Sequence, residues 1–172
     1  MDLVFLQTCL RYERDTGDFY WLRRPEDHFA TVRAANSWNG KYAETKAGSL
    51  GRNGRININL SYHLLKAHRL AWLFETGQWP AQQIDHINGN PSDNRIINLR
   101  EASNAQNSYN RGANKNNTSG HKGAYWDKPR GKWRAQIMLN KKTVFLGHYD
   151  SAEDAAEAYK RAAQEAHGPF AK

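Results

Sequence analysis

Apolar residues recur along this chain with two different periods, and the changes between them mark out its elements. Near the N-terminus, Asp15-Thr16-Gly17 separates Tyr12 from Phe19-Tyr20-Trp21, a turn between strand-favouring aromatics that predicts a hairpin. Between residues 50 and 63, Ile56, Ile58 and Leu60 alternate with polar neighbours, which predicts a second short strand pair with one buried face. Residues 64–76 are dense in Leu, Ala, Trp and Phe and are followed by Gly77 and Pro80, the punctuation of a helix with a glycine cap. Residues 23–48 show no clear period, and Asn36-Ser37-Trp38-Asn39-Gly40 reads as a loop.

The pattern lapses over residues 110–120, a polar run rich in turn-favouring residues that reads as an interdomain linker. Beyond it, Trp133, Ala135 and Ile137 fall on one face of a strand, and Arg134, Gln136 and Met138 on the other. Val144 and Leu146 continue the apolar set after a turn near Asn140-Lys141. Ser151 is a good N-cap, with Asp154 three residues on. Ala152, Ala155, Ala156, Tyr159, Ala163 and Ala166 then follow at helical spacing, up to Gly168-Pro169. A three-stranded antiparallel sheet backed by one helix is expected, with its other face open and polar. The expected division is a domain over 1–110, a linker over 111–119 and a second domain over 120–172.

Charge adds a class of partner to this outline. The 172 residues carry a formal net charge of +8 with 39% hydrophobic residues, the balance of a globular chain drawn to polyanions. Up to residue 114 there are 14 basic and 11 acidic residues, net +3; from 115 on there are 11 and 6, net +5 in half the length. Charge alone does not separate DNA, RNA and anionic membrane. The single cysteine, Cys9, excludes an intramolecular disulfide and a thiolate zinc cluster. Asp2 stands where a secretory signal needs positive charge, and no apolar run approaches a membrane span of roughly 20 residues. A cytosolic protein, bacterial or made in a phage-infected cell, is expected.

The most informative segment is 83–100, which pairs Asp85 with His86 at the end of an apolar strand, then runs through a polar, turn-rich loop to Asn98-Leu99-Arg100. A short helix started by Ser103 would carry Asn107 back towards Asp85 in a strand-loop-strand-helix unit. The oxygens of Asp85 and Asn107 suit a hard cation such as Mg²⁺ or Mn²⁺, with open positions for a phosphate. His86, neutral near pH 7, is the candidate general base for an attacking water, and Asn98 would fix the loop through bonds to backbone. Packing is the expected role of His68, solvation that of Glu101, and phosphate contact or loop stabilisation that of Asn94 and Arg95.

Asp85-His86, Asn98 and Asn107, with Asn88-Gly89-Asn90 and Asn94-Arg95 between them, resemble the HNH homing endonucleases of phages and mobile introns, in the variant that begins with Asp. His68-Arg69-Leu70-Ala71-Trp72 and Trp79-Pro80 look like the segment preceding the motif. The resemblance implies an α+β protein: a ββα-metal nuclease domain, its motif at 83–110, preceded by small strands and a helix. It assigns Asp85 and Asn107 to the metal, His86 to the base and Asn98 to its orientation. From Asn117 onward the chain resembles the Apetala/ethylene-response-factor DNA-binding domain, through Ser119-Gly120, Lys122-Gly123-Ala124, residues 131–137, Leu146-Gly147 and residues 155–159. That family lays its sheet in the major groove, which makes Lys122, Tyr125, Arg130, Arg134, Gln136, Met138, Thr143 and Phe145 candidate DNA contacts, with Lys132, Lys141 and Lys142 for phosphate. Tyr125, Asp127, Met138 and Phe145 depart from the plant pattern, so the plant target does not transfer. Residues 36–40 are a further candidate for a minor DNA contact. The function implied is a metal-dependent, site-preferring endonuclease on double-stranded DNA. No membrane or obligatory protein partner is implied; a monomer is expected to nick and a dimer to cut both strands. The alternatives are a DNA-binding regulator with an inactive site and an RNA-binding protein, the latter without recognisable RNA-module motifs.

Overall fold

The computed structural model describes residues 1–112 and 116–171, in two compact units, Met1–Ala102 and Ser103–Lys172. In the first, Asp2 accepts from the Phe5 amide at 2.8 Å and starts α1 (Leu3–Cys9). The expected hairpin follows as β1 (Leu10–Glu13) and β2 (Asp18–Trp21), joined by a turn that closes with the Gly17 amide on the Glu13 carbonyl. β3 (Lys46–Ala47) adds to the β2 edge.

Residues 23–48 hold a helix that periodicity did not reveal. Thr31 caps α2 (Val32–Tyr42), so Asn36-Ser37-Trp38-Asn39-Gly40 is helix interior and not a loop. Tertiary contacts override its modest helix propensity. The Asn39 side chain exchanges two 2.9 Å bonds with the Arg24 backbone, and Trp38 packs edge-on against Trp21. The buried Arg24 guanidinium lies over the rings of Phe29 and Trp38.

The expected strand pair is a three-stranded sheet of β4 (Ser49–Leu50), β5 (Ile56–Leu60) and β6 (His63–Lys66), with Ile58 and Leu60 fully buried. The helix expected from residue 64 begins only at α3 (Ala67–Thr76). Leu64 and Leu65 pair with Asn59 and Ile58, one outward and one toward the core, a period-two role that two adjacent leucines do not disclose. Gly77 ends α3 with φ 76, as its position implied. β7 (Gln83–His86) and β8 (Leu99–Ala102) pair antiparallel. One core gathers Leu6, Leu10, Phe19, Ile58, Leu70, Leu73, Ile84 and Leu99.

The second unit begins with α4 (Asn104–Tyr109), on a full capping box between Ser103 and Gln106. Its sheet of β9 (Ala124–Asp127), β10 (Lys132–Leu139) and β11 (Lys142–Tyr149) packs on α5 (Ala152–His167) through Ala124, Ala135, Ala155 and Ala158. Small side chains let helix and sheet approach closely. At Gly123, φ is 78 and a Cβ would fall 2.0 Å from the Tyr159 ring. A bulge at Leu146 shifts β11, so that Gln136 faces Phe145 while Ala135 faces Gly147. The expected linker held α4 in the first domain. In the structure the Tyr109 ring stacks on His167 at 3.6 Å and Lys122 Nζ donates to the Tyr109 and Arg111 carbonyls, so α4 packs with the second unit. Residues 113–115 of that linker lie outside the described residues.

Candidate active site and DNA-reading face

The β7–β8 register decides the surroundings of Asp85. It sets Arg100 directly across from it, and Arg100 Nε and Nη2 donate to Asp85 Oδ2 at 2.9 and 2.8 Å. Asp85 is only 5% exposed, and a carboxylate at that depth requires such a partner. Sequence reasoning passed over Arg100, because residue type carries no information about cross-strand neighbours.

His86 ends β7, 4% exposed, where burial pushes its imidazole below the usual histidine range despite an opposing bond from Asn94. Its Nε2 lies 3.3 Å from Asn94 Oδ1, while Asn94 Nδ2 donates to the Ser92 carbonyl. With that amide orientation, the neutral ring carries its proton on Nε2 and its lone pair on Nδ1. Asn94, 2% exposed, thus joins the ring to the loop, in keeping with the loop-stabilising one of its two expected roles. Tyr12 donates to the Asn94 carbonyl at 2.8 Å, and burial lifts that phenol to about 12.

Asn98 does what was expected of it toward the loop: it accepts from the Asn88 amide at 2.9 Å and donates to the Asp93 carbonyl at 2.8 Å. Asp93 in turn takes Arg95 Nε and Nη2, which holds its carboxyl at about 2. Arg95 is therefore occupied within the loop. His68, on α3, is buried with its ring 5.3 Å from that of His86; burial drives it down to about 3, and its Nδ1 has no hydrogen-bond partner among the described residues. Asn107 stands on α4, in the second unit.

No group of three His, Cys, Asp or Glu side chains among the described residues is arranged to hold a metal. Asp85, a single buried carboxylate, is a hard oxygen donor of the kind a divalent ion takes.

A model of the HNH endonuclease family matches residues 65–109. Protein 3.8 of Escherichia phage T7 is 38% identical over 112 residues, which cover 64% of this chain and 92% of that protein. A protein of Acanthamoeba polyphaga mimivirus, named an uncharacterized HNH endonuclease, is 30% identical over 122 residues, 69% of this chain and 63% of its own. The chain belongs to the HNH endonuclease family. It is a nuclease, and its second unit carries an AP2 domain matched over residues 119–169. No solved structure matches it.

In this HNH endonuclease the outer face of the AP2 sheet presents Tyr125 beside Arg134, Gln136 beside Phe145 and Met138 beside Thr143. Tyr125, Met138 and Phe145 are more than half exposed. Five of the expected contacts, Lys122, Tyr125, Gln136, Met138 and Thr143, line one groove of about 450 Å³. The cations are less free than the sequence implied. Lys122 is committed to backbone carbonyls, Lys132 to Asp150, and Arg130 shares Asp127 with His148. Arg134 lies over the Phe145 ring with its Nε buried and without a hydrogen-bond partner among the described residues. Lys141 and Lys142 are exposed at the β10–β11 turn. Among the described residues no helix is long and apolar enough to cross a membrane.

Proposed function

We propose that this HNH endonuclease is homing-type: it hydrolyses one DNA phosphodiester per site with a divalent ion, Mg²⁺ or Mn²⁺, and nicks as a monomer at sites its AP2 domain prefers. The supporting observation is His86, buried, kept neutral, and held through Nε2 so that Nδ1 carries the lone pair. That nitrogen takes a proton from the attacking water; the water oxygen bonds to phosphorus and the bond to the 3′ oxygen breaks. Asp85 would hold the ion, with Asn107 a second ligand on the resemblance alone. When bound, the ion would neutralise charge gathering on the phosphate and the leaving oxygen. Asn98 keeps the loop in register with the ring. One set of these residues per chain is one cut per monomer. The cytosol of a bacterial or phage-infected cell is where such a chain meets its DNA.

Supercoiled plasmid bearing host or phage sequence, incubated with wild type or His86→Ala, tests the reading. Conversion to open circles by wild type alone, abolished by chelator, is the expected result. Equal cleavage by His86→Ala overturns the mechanism, and linear product without a nicked intermediate overturns the monomeric nick.

A further inference from the structure

The stretch from residue 45 to 74 contains five Lys or Arg and no Asp or Glu. It builds β4, β5, β6 and most of α3. Within it, residues 51–55 form a tight turn, closed by the Gly51 amide on the Arg55 carbonyl at 2.8 Å and the Gly54 amide on the Gly51 carbonyl at 2.9 Å. Gly54 has φ 76, and a Cβ there would stand 2.8 Å from Pro91 Cγ, so the turn rests against the loop that follows His86. Arg55, the next residue in the turn, is half-buried. Its positive charge is felt by both buried imidazoles, His68 and His86.

The neighbouring arginines of the motif are each neutralised, Arg95 by Asp93 and Arg100 by Asp85. Arg55 forms no ion pair with any carboxylate among the described residues. A guanidinium cannot shed its proton, so a partly desolvated one without a counter-ion is a standing attraction for an anion. Its two-pronged donor geometry matches phosphate oxygens better than an ammonium does.

We propose that Arg55 is a catalytic residue that binds a non-bridging oxygen of the phosphate attacked at Asp85–His86. The proposal rests on the active-site reading above. As the water oxygen bonds to phosphorus, negative charge grows on the non-bridging oxygens, and a fixed guanidinium stabilises that growth more than it stabilises the bound substrate.

The test compares wild type, Arg55→Ala, Arg55→Lys and His86→Ala on a nicked-product duplex assay. Single-turnover rates are taken at saturating protein with Mg²⁺, and duplex affinity is measured separately in chelator over a range of salt. Arg55→Ala is expected to lose about 10²- to 10³-fold in saturated rate, the scale of losing one transition-state donor. Its affinity falls by less than about 10-fold and the salt slope by about one. Arg55→Lys recovers part of the rate, because charge returns without the fork; should the alanine variant fail to fold, the lysine variant is read against wild type in the same way. Wild-type saturated rate in Arg55→Ala, or a loss confined to affinity, overturns the proposal. His86→Ala separates the two readings: if it is dead while Arg55→Ala runs at full rate, only the role of Arg55 falls, and if it cleaves as wild type, the active-site reading falls first.

Discussion

Asn94 meets the His86 ring at 3.3 Å with one end of its amide and donates to the Ser92 carbonyl with the other. Asn94→Ala leaves His86 free to adopt either tautomer, and cleavage is expected to drop by about 10- to 100-fold with duplex affinity unchanged, the usual effect of removing an orienting partner. Single-turnover kinetics check it. His68 makes a different contribution. Its imidazole titrates at about 3 in the folded chain against 6.5 in the open one, so the unfolded chain binds more protons between those values. Stability is therefore complete above pH 6.5 and falls as the pH drops toward 3, with a slope of up to about 1.4 kcal/mol per pH unit. Denaturant melts of wild type and His68→Phe across that window are expected to show a shallower slope in the variant; parallel slopes contradict it. Asp85, His86 and Asn98 were legible as candidates because residue type and spacing single them out. Asn94, Arg100 and Tyr12, which fix them, were not, since cross-strand register and an 82-residue sequence separation place them.

Among the elements, those announced by period and punctuation are present: the β1–β2 hairpin, α3 with its glycine cap, the AP2 sheet and α5. Those that went unseen lack a period of their own: α2 is held by Arg24 and Trp21, and β6 hides in a pair of adjacent leucines read as the start of a helix. Ser103 was legible as a cap, and the structure adds its reciprocal bond, the Ser103 amide donating to Gln106 Oε1 at 2.9 Å. Ser103→Ala is expected to destabilise the second unit by about 1 kcal/mol, read from denaturant melts. Gly123→Ala is expected to cost more, about 2–3 kcal/mol, because at φ 78 its Cβ would fall 2.0 Å from the Tyr159 ring. A variant as stable as wild type would mean that α5 shifts freely on the sheet.

At the scale of the whole molecule, the two units differ in how their charges are held. In Met1–Ala102 the motif carboxylates Asp85 and Asp93 are paired with Arg100 and Arg95, and the AP2 face exposes aromatic and apolar side chains among its cations. Arg134→Ala is expected to weaken binding and flatten the preference among sites, whereas Lys141→Ala weakens all sites alike and lowers the salt slope by about one. Binding titrations on preferred and random duplexes at several salt concentrations distinguish the two. The first hairpin also bears on how this nuclease is used as a part. A Cβ at Gly17 would lie 2.4 Å from the Arg95 amide nitrogen, so the turn at the start of the chain is moulded onto the back of the loop that follows His86. The stretch 65–109 by which the family is recognised is therefore not a portable cassette. Transplanted without residues 10–21 it would carry every motif residue into its new host and leave behind the backing of the loop that follows His86.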